Sequence, residues 1–296
     1  MKVLSFGEIL FDIIEHEYFL GGAPLNFASH LSKLGAEPYM LSRVGEDDLG
    51  NNAIQRLTKL GIRNDFVTQD QMHPTGTVTV TLEQGHPDYV IHSDVAYDFI
   101  ELDHWDELKN ENFDVLYFGT LAQRGTVSAI ALDRLLREKS FKHIFYDVNL
   151  RKDCYRKSTI KRSLEYSTIF KLNDEEVEVL SPMLYGNAMQ MEDFIRHLSE
   201  DYHIETIIVT AGSEGSFILN NSVLSFVKSY PANVKDTVGA GDSFSAAFLY
   251  TFFYTSDILL SLDRANFMGA FVASSNGAIP EYTTEIKQAF SDINRS

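Results

Sequence analysis

The sequence predicts an α/β fold with a mainly parallel central sheet and a small β-lid. Two observations carry this expectation. Short apolar runs alternate with helix-period segments almost from end to end, the pattern of βαβ units. One stretch breaks it: Gly76-Thr-Val-Thr-Val-Thr-Leu82 alternates strictly, with Val78, Val80 and Leu82 on one face and threonines on the other.

Taken in order, Val3 to Phe6 reads as a buried first strand. A helix over Asn26 to Leu34 is stopped by Gly35, Pro38 to Val44 is a strand, and a helix over Asp47 to Leu60 is stopped by Gly61. The alternating stretch 76–82 turns at Gln84-Gly85-His86-Pro87 and resumes at Tyr89 to His92 as a β-hairpin, with Phe11 to Leu20 placed to pair with it. A lid over the mouth of the sheet, formed by about 11–20 and 75–98, is the sharper reading of that hairpin; an edge hairpin of the main sheet is the plainer one. Strand Val115–Phe118, helix Val127–Arg137, strand His143–Asp147, strand Ile169–Leu172, a helix near Met189–Tyr202 and strand Thr206–Thr210 continue the alternation. Ser216–Leu219 and Val223–Val227 then form a hairpin over Asn220–Asn221, and three helices start near Gly241, Leu262 and Thr284. With no internal repeat and no linker rich in Pro, Gly or Ser, residues 1–296 read as a single domain.

Composition narrows the function. Of 296 residues 44% are hydrophobic and 23% charged, which excludes a disordered or low-complexity chain. The acidic residues number 42 against 25 basic ones, a formal charge of −17, and no Lys/Arg stripe interrupts that balance. Nucleic acid is therefore not an expected partner. No apolar stretch is long enough for a membrane span, and MKVLSFGEIL is broken by Gly7 and Glu8, unlike a signal peptide. The single cysteine, Cys154, fits a reducing compartment, so the expected location is cytoplasmic. Absence of Gly-x-x-x-x-Gly-Lys-Ser/Thr and of Gly-x-Gly-x-x-Gly after the first strand argues against P-loop and dinucleotide enzymes. Neither Cys-x-x-Cys nor His-Glu-x-x-His occurs, so no zinc site is expected.

Two strings carry chemistry. Asp236-Thr-Val-Gly-Ala-Gly-Asp242 runs directly into the apolar segment Phe244–Phe253. Two glycines and an alanine let a ligand approach the backbone, and the helix behind them offers unpaired N–H groups to a phosphoryl oxygen. Asp242, in the first turn, stands where it can accept a proton from an attacking hydroxyl. An Asp near a helix start is ordinarily just a cap; the whole string is what raises it above that. The second string is Gly21-Gly22-Ala-Pro-Leu-Asn26-Phe-Ala-Ser-His-Leu-Ser-Lys-Leu-Gly35, running on to Ser42-Arg-Val-Gly45. Its glycine pair allows close approach, and Asn26 offers a polyol both a donor and an acceptor.

Together these strings resemble the two signature motifs of the PfkB carbohydrate kinases, and intermediate motifs appear in order along nearly the whole chain. The resemblance implies a ribokinase-like three-layer sandwich that phosphorylates a sugar hydroxyl with magnesium ATP. It implies that Asp12, Gly22 and Asn26 contact the sugar, that Asp242 is the base, and that Gly239, Ala240 and Gly241 form the anion hole. Asn173 and Glu176 match the Asn-x-x-Glu motif near the phosphates and the Mg2+ ion, Glu176 holding the ion through water. Thr210, Gly212 and Gly215 match a nucleotide-contacting loop, Asn266 and Asn276 would line the adenine side, and Asp236 would take part in a K+ site. Asp147-Val-Asn149-Leu-Arg151 resembles fructokinases and 2-keto-3-deoxygluconate kinases, with Arg151 near the phosphates or substrate. Tyr97, Arg124 and Asn149 complete the sugar side. D-Fructose is the first choice of acceptor; 2-keto-3-deoxygluconate, ribose or a nucleoside are alternatives, and a non-catalytic sugar-binding regulator is the remaining class. A homodimer through the lid is the expected assembly, because the Val78 face offers an apolar surface.

Overall fold

The apolar run Lys2–Phe6 forms strand β1 and crosses the middle of the molecule, with Val3 to Phe6 buried. The structure is a computed structural model and describes residues 1–83 and 86–293. Strands β2 (Leu10–Ile14) and β3 (Glu17–Gly21) precede helix α1 (Ala23–Leu34), then β4 (Glu37–Gly45), α2 (Asp48–Lys59) and β5 (Arg63–Asp70). Strands β6 (Gly76–Glu83) and β7 (His86–Ile91) pair as a hairpin, followed by a 3-10 turn over Ala96–Phe99 and α3 (Trp105–Asn110). Next come β8 (Val115–Phe118), a 3-10 turn over Leu121–Arg124, α4 (Thr126–Glu138), β9 (His143–Asp147) and α5 (Lys157–Leu164). Strand β10 (Ile169–Asn173), α6 (Asp174–Tyr185), α7 (Met191–Tyr202), β11 (Thr206–Thr210), β12 (Gly215–Asn220) and β13 (Val223–Lys228) follow. Helices α8 (Ala240–Thr255), α9 (Ile258–Ala273) and α10 (Thr284–Ser291) come last.

The main sheet runs in the order β13-β12-β11-β10-β9-β8-β1-β4-β5, parallel from β11 to β5 with the β12–β13 hairpin antiparallel at one edge. Its inner strands β1, β8, β10 and β11 are buried on both faces, which is why they read as continuous apolar runs, while the edge strands β5 and β13 are partly exposed. Leu4, Phe6, Leu116, Phe118, Phe170 and Leu172 pack on one side with residues of α4 to α7. Val3, Val115, Tyr117, Phe145 and Ile208 pack on the other with α1, α8, α9 and α10. The result is three layers.

From β1 the chain builds outward through β4 and β5, then returns to build β8 to β11 on the opposite side. The carboxyl end of β1 is thus where the strand order reverses, the position at which open α/β sheets leave a crevice. Gly7 and Glu8 stand at that end.

The alternating stretch does not join the main sheet. Strands β3-β2-β6-β7 form a separate four-stranded sheet, with β2 parallel to β6. Of the expected turn at 84–87, Gln84 and Gly85 lie outside the described residues, while His86 and Pro87 pair with Glu83 and Leu82 in the strands. Side chains of 80–88 are likewise outside the description, so of the apolar face only Val78 is placed, and it is buried at 6% exposure.

Several boundaries shift for local reasons. Helix α1 starts at Ala23, three residues before Asn26, because Pro24 suits a first turn. The β12–β13 turn falls on Asn221-Ser222, both left-handed (φ 46 and 67), one residue later than expected. Helix α9 starts at Ile258, not near Leu262, because the Asp257 side chain caps it by accepting from Leu260 N at 2.9 Å. Strand β5 and helices α3, α5 and α6 had no counterpart in the sequence reading. The signal is short in α3 and α5, interrupted by charges in β5, and broken by Pro182 in α6.

Candidate active site

The site is assembled at the carboxyl ends of the strands, from the loop after β1, the start of α1, the loop after β9 and the start of α8. Gly22 is the N-cap of α1 with φ 114, and a Cβ there would stand 2.4 Å from the Glu8 carbonyl oxygen. Only glycine fits this close crossing. One turn further, Asn26 is buried, and its Nδ2 donates to Asp242 Oδ2 at 2.8 Å, joining α1 to α8.

Gly239 caps α8 in a left-handed conformation, φ 76, pressed against Ala278 so that a Cβ would lie 2.6 Å from the Ala278 Cβ. Ala240, Gly241 and Asp242 form the first turn; Ala240 N donates back to Thr237 O at 3.2 Å, while the N–H groups of Gly241 and Asp242 have no partner within the helix. Burial pushes the Asp242 carboxyl up to about 6, with the charge of Asp147 adding to the effect; the Asn26 hydrogen bond, Lys171 and Arg151 act against it. At neutral pH it is an ionised base whose pKa lies close to the working range.

Arg151 is the cation that three acids share. It sits on the exposed loop after β9, two residues beyond Asn149, whose backbone is left-handed (φ 40). Its charge reaches Glu8, Asp12 and Asp242 alike. Burial raises Asp12 to about 6 and Glu8 to about 7. Asp12 lies on β2 in the small sheet, its Oδ2 only 2.9 Å from where a Cβ on Gly21 would be.

The other sequence-predicted residues divide. Tyr97 is fully buried in the 96–99 turn, its hydroxyl without a partner. Arg124 is not free to reach a ligand: its guanidinium is paired with Asp98 (2.7 and 3.1 Å), and it stacks on the Tyr97 ring. It supports Tyr97 from behind. Asn173 and Glu176 form the capping box of α6, with Asn173 Oδ1 accepting from Glu176 N (2.7 Å) and Glu176 Oε2 accepting from Asn173 N (2.8 Å). Glu176 Oε1 accepts from Leu150 N at 2.7 Å, which fixes the loop that carries Arg151. Thr210 ends β11, Gly212 (φ 51) has open space around it, and Gly215 is packed under Val227 at the start of β12. Asn266 has both ends of its amide engaged, Nδ2 donating to Val227 O and Oδ1 accepting from Ser216, so it pins the edge hairpin. Asn276 is exposed beside Gly277. Asp236 accepts from Val238 N (3.0 Å) and Gly277 N (3.2 Å), closing the loop before α8 onto the loop after α9.

Two buried charges had no role in the sequence reading. Lys171 on β10 is buried, with Nζ 3.0 Å from both oxygens of Asp147 and 3.6 Å from the Cβ position of Gly241. Asp147 also accepts from Ser245 Oγ (2.8 Å) and Tyr117 OH (3.3 Å), so the floor beneath the start of α8 is a closed polar network. A lysine inside the apolar run Ile-Phe-Lys-Leu-Asn was the visible signal. Glu8, an acid directly after a buried strand, was the other.

Among the described residues no three His, Cys, Asp or Glu side chains come together as a metal cage. With both Glu176 oxygens accepting backbone N–H groups, the donor set fits a magnesium ion carried on nucleotide phosphates and reached through water. A surface groove of about 200 Å³ beside Tyr39 and Arg63 lies at the start of β5, at the opposite ends of the strands.

The sequence model of the pfkB family carbohydrate kinases matches residues 3–285. The chain belongs to that family. Among its relatives is an uncharacterised sugar kinase of Pyrococcus horikoshii, 30% identical over 300 residues that cover 93% of this chain and 91% of the relative. The structure of that kinase in complex with ATP superposes with a TM-score of 0.82 over 98% of this chain and 99% of the other. The fructokinase of Escherichia coli is 26% identical over 275 residues, covering 88% and 87% of the two chains. A fructokinase from Xylella fastidiosa, solved with bound ATP, has a TM-score of 0.87 at 19% identity over 98% of each chain, a likeness of fold. The three layers around the central sheet are thus the ribokinase-like sandwich of the family, and the chain is a carbohydrate kinase by descent. No helix among the described residues of this pfkB-family chain is long and apolar enough to cross a membrane.

Proposed function

We propose that this chain transfers the γ-phosphate of ATP to a sugar hydroxyl, with D-fructose the favoured acceptor and fructose 6-phosphate the product. The observation that carries the reading is the Asn26–Asp242 contact of 2.8 Å, with a half-buried carboxylate of raised pKa at an open helix start. Asp12, Gly22, Asn26 and Tyr97 hold the sugar, with Arg124 behind Tyr97. Asp242 takes the proton of the attacking hydroxyl. The helix start at Gly239, Ala240 and Gly241 receives the transferred phosphoryl group, with the Gly241 amide open to it, and Arg151 adds positive charge where the protein is otherwise acidic. Magnesium, when bound with the nucleotide, neutralises the phosphates, and Glu176 would hold it through water. The nucleotide lies along Thr210, Gly212 and Gly215, with Asn173 and Asn276 at its margins.

The small sheet closes over the sugar as a lid and excludes water from the γ-phosphate. Two chains pair through it as a homodimer, Asp236 and the loop it closes hold a potassium ion, and the enzyme works in the cytoplasm. Sedimentation equilibrium reads the first, and activity in potassium against lithium salts reads the second. A keto-acid acceptor is the second reading, favoured by Arg151, which would then meet the carboxylate.

The deciding experiment is ADP release from magnesium ATP over fructose, 2-keto-3-deoxygluconate, ribose, glucose and adenosine, compared as kcat/KM. Preference for fructose supports the reading. Preference for the keto acid keeps the kinase and moves Arg151 to carboxylate recognition. ATP binding without turnover on any acceptor overturns it in favour of a sugar-binding regulator.

A further inference from the structure

Buried polar atoms almost always have hydrogen-bond partners, so several that lack one around the same site call for a common partner. Three such atoms border the candidate site: Glu8 Oε2, Asn26 Oδ1 and Tyr97 OH. Their residues are 3%, 4% and 0% exposed, so bulk water does not satisfy them. Asn26 and Tyr97 are expected to touch the sugar; Glu8 is not among the residues the sequence motifs assign.

The placement of Glu8 is specific. It follows β1 at the reversal of strand order, and its backbone carbonyl and Cγ lie directly under Gly22. The N–H groups of Glu8 and Ala23 approach its carboxyl, so the side chain from β1 stands at the start of α1, where the N-cap Gly22 has no side chain to offer. That accounts for one side of the carboxyl and leaves Oε2 facing nothing in the protein. The groups around it are Asp242 on α8, Arg151 after β9, Tyr97 on the 96–99 turn and Tyr117 on β8.

We propose that Glu8 is a substrate-contacting residue, its Oε2 joining Asn26 Oδ1 and Tyr97 OH in binding the hydroxyl groups of the acceptor sugar. This rests on the sugar-kinase reading above. A hydroxyl donates and accepts, so one polyol satisfies an amide oxygen, a phenol and an acid together. Burial holds Glu8 up to about 7, with the Asp242 charge adding to the effect and Arg151 opposing it. Below that pH Oε2 carries a proton and donates to a sugar oxygen; above it the donor is lost beside the ionised Asp242.

The test is D-fructose binding, measured by calorimetry without nucleotide at pH 6 and pH 8, with KM for fructose and for ATP measured in parallel. Glu8→Ala is expected to weaken fructose binding about 10- to 100-fold at pH 6 while KM for ATP stays within about twofold. Glu8→Gln, the isostere of the protonated acid, keeps near-wild-type affinity at pH 6 and loses the weakening that the wild type shows between pH 6 and 8. Fructose affinity unchanged in Glu8→Ala, or an unaltered pH dependence in Glu8→Gln, overturns the assignment. Equal rises of both KM values in Glu8→Ala overturn it too, because they report a merely structural acid. A folded wild type that binds no fructose overturns both this and the acceptor on which it rests, whereas failure confined to the Glu8 variants leaves the kinase standing.

Discussion

Asn26 Nδ2 donates to Asp242 Oδ2 at 2.8 Å, although 216 residues separate them in the chain. The contact ties the helix that carries the sugar-side glycine to the helix that carries the anion hole. It also leaves the second Asp242 oxygen for an incoming hydroxyl. Because the amide favours the ionised carboxylate while burial opposes it, Asn26 sets both the position and the basicity of the proposed base.

Asp242→Asn keeps the shape and removes the proton acceptor. It is expected to lower kcat by about 10² to 10⁴-fold, with sugar binding largely retained. In the wild type the base must be ionised, so kcat falls as pH drops through about 6. Steady-state rates from pH 5 to 8 check both points, and a kcat that stays flat down to pH 5 would overturn the assignment.

Gly239→Ala puts a methyl group on a left-handed residue and drives it to 2.6 Å from the Ala278 Cβ. The start of α8 must move, and the anion hole with it. Loss of one such donor set costs about 10² to 10³ in kcat, so a fall of that size is expected alongside a lower Tm. Turnover assays and thermal denaturation of the purified variant measure it.

Lys171→Met removes the cation beneath the same turn and leaves Asp147 buried with only the Ser245 and Tyr117 hydroxyls. Breaking one side of a buried pair costs about 3–5 kcal/mol, so the single variant is expected to be the less stable. Replacing both members, with Lys171→Met and Asp147→Leu together, recovers part of that loss. Urea denaturation of the two variants decides the point.

His30 gives stability an acid-sensitive component. It lies four residues after Asn26 on α1, fully buried, with Nδ1 2.7 Å from Tyr282 OH and Nε2 2.9 Å from Ala278 O. One neutral tautomer satisfies both: Nε2–H donates to the carbonyl and Nδ1 accepts from the phenol. Burial lowers its pKa to about 4. The unfolded chain takes up a proton near 6.5, so stability falls as pH drops from about 6.5 to 4, by roughly 3 kcal/mol. The raised carboxyls of Glu8, Asp12 and Asp242 work in the opposite direction, each costing stability as pH rises, to about 7 for Glu8 and about 6 for the other two. These slopes oppose the histidine slope in the wild type. Glu8→Gln removes one of the opposing acids, so the urea midpoint of the variant gains on that of the wild type as pH rises from about 4.5 to 7.

The order of elements, the stops at Gly35 and Gly61 and both chemical strings are local properties, and they were legible in the sequence. A glycine that must adopt φ 76, or an Asp in a first turn, is dictated by its immediate neighbours. The same is true of Asn-x-x-Glu, whose capping box is complete within four residues. The separate status of the 76–83 hairpin was not local. Its pairing with β2 depends on strands more than sixty residues apart, and the alternating pattern fits an edge of either sheet.

What only the tertiary structure decided is which polar groups are already satisfied. Arg124 and Asn266 looked like ligands by position, yet each is engaged by neighbours remote in sequence: Asp98, and Val227 with Ser216. Glu8 looked like an ordinary strand-end acid and is left with an oxygen that nothing in the protein satisfies. Composition and spacing say which residue types are present and how the nearest turns close. Hydrogen bonding and burial are sums over partners brought from the whole chain, so the difference between a spent side chain and a waiting one appears only once the chain has folded.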